Sequence, residues 1–451
     1  MNLKSKLCSI ALAICMLFGS AMTFSSCMLV ETPGVVDAKL NGKGELVLYY
    51  DDGSEQNLGV VVGKDGEAGE KGENGRDGAS GADGSLTITS DGSSVPAASA
   101  KGLRSAVSIR CNFEATVQQG GWRPGSSSTT TQEYTSMGSG VIYRMDKESG
   151  DAFIITNYHV VYDASSNTSN HISDDISVFL YGSEVDSKAI KATYVGGSLY
   201  YDIAVLRVED SSVLSASNAC EVTAANSDEI VVGETAIAIG NAKGYGISTS
   251  FGIVSVDSEY ITMTAADGAT SVSFRVMRVD TAVNSGNSGG GLYNDEGELI
   301  GIVNAKIVDD GVENIGYAIP SNVAVSIAEN IIDYCYGTTS QSVQRAMLGI
   351  TVSASDSKAV YNGETGLLEI QETVSVYEVT DGSIAQGILQ AGDVLVSVVL
   401  DGETIEITRQ YHIIDLMLDV RVDDEVTLNI LRNGEAQTVS ITITESCLTE
   451  Y

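Results

Sequence analysis

The chain is sparing with several residues, and each scarcity narrows its chemistry. Only four prolines occur in 451 residues, against 48 glycines, a balance that suits strands joined by many turns. Basic residues are few: 25 Lys and Arg stand against 60 Asp and Glu, a formal charge of −35. So negative a surface repels phosphate backbones and anionic lipid, so no nucleic acid is expected as a partner of the folded part. The seven cysteines include no Cys-x-x-Cys pair, which argues against a structural metal site, and neither metal nor cofactor is expected. Three of them (Cys8, Cys15 and Cys27) lie in an N-terminal apolar segment. The others, Cys111, Cys220, Cys335 and Cys447, can pair in three ways or stay free. Histidine occurs three times, so candidate general bases can be weighed one by one. The length and the 43% hydrophobic content allow two or three domains with real cores.

What is present centres on Asn284-Ser285-Gly286-Asn287-Ser288-Gly289-Gly290. Glycine reaches backbone conformations closed to other residues, so such a turn can present a hydroxyl and aim consecutive N–H groups at one point. A serine nucleophile with an oxyanion hole needs that arrangement. An ordinary Gly/Ser hairpin has the same composition, and the difference lies in whether a base and an acid stand upstream. His171 sits in the polar run 165–175, and His412 in an apolar, helix-like segment. His159 alone closes a strongly apolar stretch, 153–161, where its ring can be held at a cleft edge. Asp202 stands at the entrance of the apolar strand 203–208. A carboxylate partly buried there needs a partner, and an imidazole N–H is a good one. Singly, the three read as a core histidine, a strand-start turn residue and a hairpin serine. Together, His159, Asp202 and Ser288 follow the chymotrypsin-type chain order rather than the Ser-Asp-His order of α/β-hydrolases.

The motifs around these residues are specific. Gly138-Ser139-Gly140-Val141-Ile142, Thr156-Asn157-Tyr158-His159-Val160, Asp202-Ile203-Ala204-Val205-Leu206, Ala238-Ile239-Gly240-Asn241, Gly286-Asn287-Ser288-Gly289-Gly290, Gly301-Ile302-Val303-Asn304 and Gly316-Tyr317-Ala318-Ile319-Pro320-Ser321-Asn322 recur in order. The chain resembles the HtrA/DegP-type serine proteases with a PDZ domain, over roughly residues 101–445. The resemblance implies a mainly β fold: a double six-stranded β-barrel protease domain over 101–337, then an α+β PDZ domain over 346–445. It implies Ser288 as nucleophile, His159 as base and Asp202 as its orienting acid. The oxyanion hole falls on Gly286, Asn287 and Ser288, with the N–H groups of the first and last as donors and Asn287 shaping the turn. Ala282, six residues before the serine, matches the base of the S1 pocket, so a small or aliphatic P1 residue is expected and a basic one is not. Asn304, Ala305 and Lys306 match the strand that pairs with substrate backbone. Gly291 stands where the family usually has proline and is expected to loosen the turn after the site. Leu348, Gly349 and Ile350 match the loop that captures a peptide's terminal carboxylate. Unfolded or misfolded polypeptides, peptide C-termini and a homotrimer are the partners implied.

In chain order, Met1 to Val30 reads as an export signal: Lys4 and Lys6, an apolar run, then small residues. Phe24-Ser25-Ser26-Cys27 resembles a lipoprotein processing box with Phe24 where an aliphatic residue is usual. Residues 1–27 are therefore expected to be a lipoprotein-type signal with Cys27 lipidated, which implies an exported, membrane-tethered protein at the cell envelope. A cleaved signal without lipid and an uncleaved anchor are the alternatives. Alternation within 28–62 around Asp51-Asp52-Gly53 predicts a small hairpin. From Gly63 to Gly84 glycine takes every third position, the collagen requirement, yet no proline fills X or Y. A short trimerising stalk and a flexible charged linker both fit 63–84. A Gly/Ser/Ala linker is expected over 85–100, and a mobile loop over 118–137. Ser321 is expected to cap a helix running to about Cys335.

Two other functions fit parts of the sequence. A non-catalytic binding or chaperone module on a protease-like fold is the principal alternative, opposed by the complete set of three residues. A collagen-like adhesin is the third, opposed by the shortness of 63–84.

Overall fold

A computed structural model describes residues 35–43, 45–60, 95–120, 127–304, 315–363 and 366–451. The expected export signal with Cys27, the Gly-X-Y stretch, and Ala305 and Lys306 lie outside them. Residues 35–60 belong to a unit separate from 88–451. They form an antiparallel sheet of β1 (Val35–Leu40), β2 (Glu45–Tyr50) and β3 (Glu55–Val60), one strand more than the expected hairpin, with Asp51-Asp52-Gly53 turning β2 into β3.

The larger unit opens with helix α1 (Val95–Ser105), which overlaps the expected linker. Its small residues read as low complexity, but they are small because the helix lies close against a sheet. A Cβ at Gly102 would come within 2.7 Å of Ile239, and the Ser105 hydroxyl hydrogen-bonds that of Tyr293 at 3.0 Å. Then β4 (Ala106–Gly120), β5 (Ser127–Asp146), β6 (Asp151–Thr156), β7 (Asp175–Leu180), β8 (Ile190–Ser198) and β9 (Ile203–Val208) close a barrel in the order β4-β5-β6-β9-β8-β7. Helix α2 (Tyr158–Val161) is a single turn after β6. A second barrel, ordered β10-β11-β12-β15-β14-β13, uses β10 (Thr235–Gly240), β11 (Ser248–Thr264), β12 (Ser271–Val279), β13 (Gly291–Tyr293), β14 (Leu299–Val303) and β15 (Gly316–Pro320).

Period-2 alternation decides which core each side chain joins. In β6, Ile154 fills the first barrel with Ile109, Ile142 and Leu206, whereas Ile155 faces the other way. It joins Val205, Ile237 and Ile239 in the core between the barrels. Helix α3 (Ser321–Cys335) seals that core with Val323, Ile327 and Ile331. Pro320 occupies its cap position and Ser321 is its first residue, with the Ser321 hydroxyl turned to the carbonyl of Ala225 instead of the helix.

The expected mobile loop over 118–137 is largely a two-stranded ribbon. β4 and β5 stay paired through Thr116↔Thr131 and Val117↔Thr130 as far as Gly120↔Ser127. Its residues look loop-like because a projecting ribbon has no buried face to demand apolar ones, while the β-branched threonines suit the pleat.

The C-terminal part has β16 (Gln344–Ala346), β17 (Ile350–Tyr361), β18 (Leu368–Val379), β19 (Val394–Leu400), β20 (Glu403–Glu406), helix α4 (Gln410–Leu416), β21 (Glu425–Arg432), β22 (Glu435–Thr442) and β23 (Leu448–Glu450). The sheet runs β17-β18-β19-β21-β22, leaving β17 at an edge. Helix α4 is docked on the second barrel. The Arg275 guanidinium from β12, buried, reaches Asp228 at 2.7 Å and Asp415 of α4 at 3.2 Å, and lies 3.8 Å from the Tyr411 ring centre. Arg409 adds a bond to Asp257 at 3.0 Å.

Candidate active site

The carboxylate of Asp202 organises the site. Asp202 precedes β9 in a left-handed conformation (φ 56°) that aspartate tolerates better than most residues, and it is 5% exposed. Its main-chain carbonyl accepts from the Tyr158 N–H at 3.1 Å and the Asn157 side-chain amide at 2.8 Å, which locks the turn to α2. Its Oδ1 accepts the His159 main-chain N–H at 2.9 Å, and Oδ2 meets His159 Nδ1 at 2.6 Å. The Asn304 amide also donates to Oδ2, at 2.8 Å. A buried carboxylate is tolerable when so fully bonded, and this one holds the imidazole by ring and backbone together. The apolar strand β6 ends at Thr156, and His159 lies on the helical turn α2 that follows it.

His159 and Ser288 line one cleft of about 420 Å³ between the barrels. The serine's turn is built on Gly286, whose φ of 96° is open to glycine and whose missing Cβ would sit 2.3 Å from the Asn241 carbonyl oxygen. Among the described residues, neither the Gly286 nor the Ser288 N–H donates to a protein acceptor, so both remain available to an oxygen anion. Asn287 closes the turn: its N–H donates to Asn284 at 2.9 Å, and its side-chain amide points at the Ala282 carbonyl at 3.5 Å. Gly291 is not loose. It is buried in β13, paired with Ile239 and Ile302, and a Cβ there would meet the Tyr293 ring at 2.5 Å.

Ser139, in the Gly138-to-Ile142 motif, ties the two barrels at the turn. Its N–H donates to the Ser288 carbonyl at 2.8 Å, its hydroxyl to the Gly286 carbonyl at 2.7 Å, and the hydroxyl accepts the Asn241 N–H at 2.8 Å. Its own carbonyl accepts from the Thr156 hydroxyl at 2.7 Å. The small Gly138-Ser139-Gly140 cluster was the available signal, since close approach of two backbones demands such residues. Asn304, expected on the substrate-pairing strand, directs its side chain to Asp202. His171 and His412 stand apart from the site: His171 Nδ1 lies 3.1 Å from the Ser166 carbonyl, and His412 accepts the Thr408 N–H at 3.3 Å. The four described cysteines are free thiols, and no described cluster suits a metal ion.

In the C-terminal domain the Leu348 and Gly349 N–H groups likewise donate to no protein acceptor among the described residues, while Ile350 begins the edge strand β17. The Gln410 amide of α4 donates across the groove to the Val352 carbonyl at 3.0 Å.

Paired barrels, a histidine and a serine on one cleft, and a following α+β module define a trypsin-like serine peptidase joined to a PDZ domain. The family model of the trypsin-like peptidase domain matches residues 138–302, and that of the PDZ domain matches 346–443. The serine protease Do-like HtrA of Bacillus subtilis is 36% identical over 70% of this chain and 66% of its own length. Its namesake in Lactococcus lactis subsp. cremoris is 33% identical over 72% of this chain and 75% of its own length. The periplasmic pH-dependent serine endoprotease DegQ of Escherichia coli is 31% identical over 70% of this chain and 61% of its own length. Among solved structures, the HtrA-type protease AlgW with tripeptide aligns at 26% identity over 79% of this chain and 97% of that one, with a TM-score of 0.46. The chain belongs to the HtrA family of serine endopeptidases.

Proposed function

We propose that the protein cleaves unfolded or damaged exported polypeptides by acyl transfer through Ser288. His159 takes the serine proton and returns it to the leaving amine, while Asp202 fixes the ring's tautomer and stabilises its cation. The Gly286 and Ser288 N–H groups hold the oxyanion, with Asn287 setting their angle. The observation that supports this best is the carboxylate of Asp202, bonded to both the ring and the main chain of His159, on the cleft that Ser288 shares. Alanine at 282 offers no counter-charge to a basic P1 side chain, which favours small or aliphatic residues there. Asn304, whose side chain also holds the Asp202 carboxylate, binds the substrate backbone together with Ala305 and Lys306.

The PDZ domain binds peptide C-termini or strands through Leu348, Gly349 and Ile350. Main-chain bonds along the free edge of β17 give affinity, and pockets beside it give preference. The protein works outside the cytoplasm, in keeping with the periplasmic location in the name of its DegQ relative. Cys27 is its lipid anchor, residues 63–84 its spacer, and a homotrimer its working form. No described helix is long and apolar enough to cross a membrane.

The test is a fluorophosphonate probe with an unfolded protein substrate, applied to the full chain and to Ser288→Ala. Labelling and cleavage by the wild type alone support the enzyme. A wild type that binds unfolded substrate and PDZ peptides yet neither labels nor cleaves is the binding module instead.

A further inference from the structure

The small sheet of 35–60 has two unlike faces. Alternation along β2 sends Glu45, Val47 and Tyr49 to one side and Leu46, Leu48 and Tyr50 to the other. The first side is finished. Val47 is 9% exposed, with Lys39 and Asn57 opposite it on the flanking strands. Its polar neighbours bond among themselves: Lys39 meets Asp37 at 2.5 Å and lies over the Tyr49 ring, and the Asn57 amide donates to Glu45 at 3.0 Å. The second side is apolar from edge to edge. Ala38 stands opposite Leu48, and Val36 on β1 and Leu58 on β3 extend the face, 64% and 50% exposed. Gln56, also on it, accepts the Tyr50 hydroxyl at 2.5 Å. Among the described residues, none of these side chains joins a hydrophobic core.

A sheet this small does not hold itself. Below about 40 residues a fold usually needs a disulfide, a metal or association. Residues 35–60 contain no cysteine and no histidine, and no described cluster suits a metal ion. Association remains, and the chain that follows sets the number of copies. Three residues after Val60, glycine takes every third position from Gly63 to Gly84, the pattern that three chains wound on one axis require. No proline stands in that run to pre-form such chains, so it gains most from three chain starts gathered beside it.

We propose that the apolar face of 35–60 packs against the same face of two further copies of this chain. The β1 edge of one copy then lies beside the β3 edge of the next, a head-to-tail contact that closes as a ring of three. The proposal rests on the homotrimer proposed above, to which it assigns a surface, and not on cleavage by Ser288.

The experiment uses the full chain with Ser288→Ala, which stops self-digestion, in membranes of the cells that make it. Single cysteines are placed at neighbouring positions of β2 that face opposite ways, Leu48→Cys and Tyr49→Cys, and copies are joined with a short bismaleimide. The chain without either gives the background of its native thiols. Leu48→Cys is expected to yield about tenfold more linked pairs than Tyr49→Cys, because a shared core holds its thiols at high effective concentration. Ala38→Cys, on the same face, adds a thiol without removing bulk and keeps the test decisive should Leu48→Cys unfold the sheet. Adding Leu46→Asp, which sets one carboxylate per copy in that core, is expected to lower the linked product about tenfold. Sedimentation of the chain extracted in mild detergent is expected to give three copies. A trimer in which neither Leu48→Cys nor Ala38→Cys links better than Tyr49→Cys, the result if a lipid surface covers the face, overturns this surface and leaves the homotrimer to other contacts. So does linking that survives Leu46→Asp. Any copy number other than three overturns the face and the homotrimer together.

Discussion

Asn304 and His159 share one oxygen atom of Asp202: the Asn304 amide lies 2.8 Å from Oδ2 and His159 Nδ1 lies 2.6 Å from it. The amide comes from the end of β14 in the second barrel, the imidazole from α2 in the first. The carboxylate that orients the base is thus itself oriented from the side that carries the nucleophile.

Replacing Asn304 by alanine removes a donor to a buried anion, a bond worth about 1.5–3 kcal/mol. We expect kcat/KM to fall about tenfold or more. Fluorophosphonate labelling of Ser288 should slow in parallel, and a wild-type labelling rate would show that the Asn304 bond does not position the base.

Asp202→Asn keeps the shape of the site but offers His159 Nδ1 an amide in place of a carboxylate, favouring the wrong tautomer. A loss of about 10⁴ in kcat is expected. Fluorophosphonate labelling should slow in parallel while the melting temperature changes little by comparison.

Gly286→Ala puts a Cβ 2.3 Å from the Asn241 carbonyl oxygen in a backbone conformation that side chains avoid. The turn must shift, and with it the two free N–H groups. Loss of activity of about 10² or more is expected, by analogy with removal of one oxyanion donor, with His159 and Asp202 still joined. Activity within a factor of about two of wild type would place the oxyanion donors elsewhere.

The Arg275 contact between barrel and PDZ domain responds to pH. Burial pushes the Asp415 carboxyl up to about 6, against the pull of Arg275. A raised folded-state value means that this group's stabilisation is present below its unfolded value of about 4 and is lost as pH rises through about 6. Asp415→Asn should therefore flatten the decline in melting temperature between about pH 4 and pH 6. Arg275→Leu, which strands Asp228 and Asp415, should destabilise by about 3–5 kcal/mol. Identical pH slopes for wild type and Asp415→Asn would exclude this account.

Gln410 donates to the Val352 carbonyl on the edge of β17, the edge available to an added strand. Gln410→Ala frees that acceptor, and titration should find C-terminal peptides bound about threefold to tenfold more tightly, the worth of one neutral hydrogen bond. Weaker binding would instead make Gln410 a direct peptide contact.

Much of this was legible in the sequence because the chemistry requires it locally. A serine between glycines, a histidine after an apolar run and an aspartate before one are each marked by neighbours in the chain, and α3 announced itself by its apolar face. Other features depend on partners far away in sequence. Ser139 looks like a spacer until Gly286 and Asn241 arrive beside it, 147 and 102 residues away. Helix α1 reads as linker because its small residues answer to Ile239 and Tyr293. The ribbon of β4 and β5 is polar on both faces, so no alternation betrays it. Asn304 follows β14, and which way its side chain turns depends on the packing of two barrels.

The contacts of Ser139 make the nucleophile's turn a clasp between the barrels. Parting them by even a small distance breaks the bonds to both Gly286 and Ser288, so a copy whose halves have slipped loses its aligned serine at the same moment. Fitness to cut and soundness of the fold then fail together, and a damaged molecule is disarmed by its own damage.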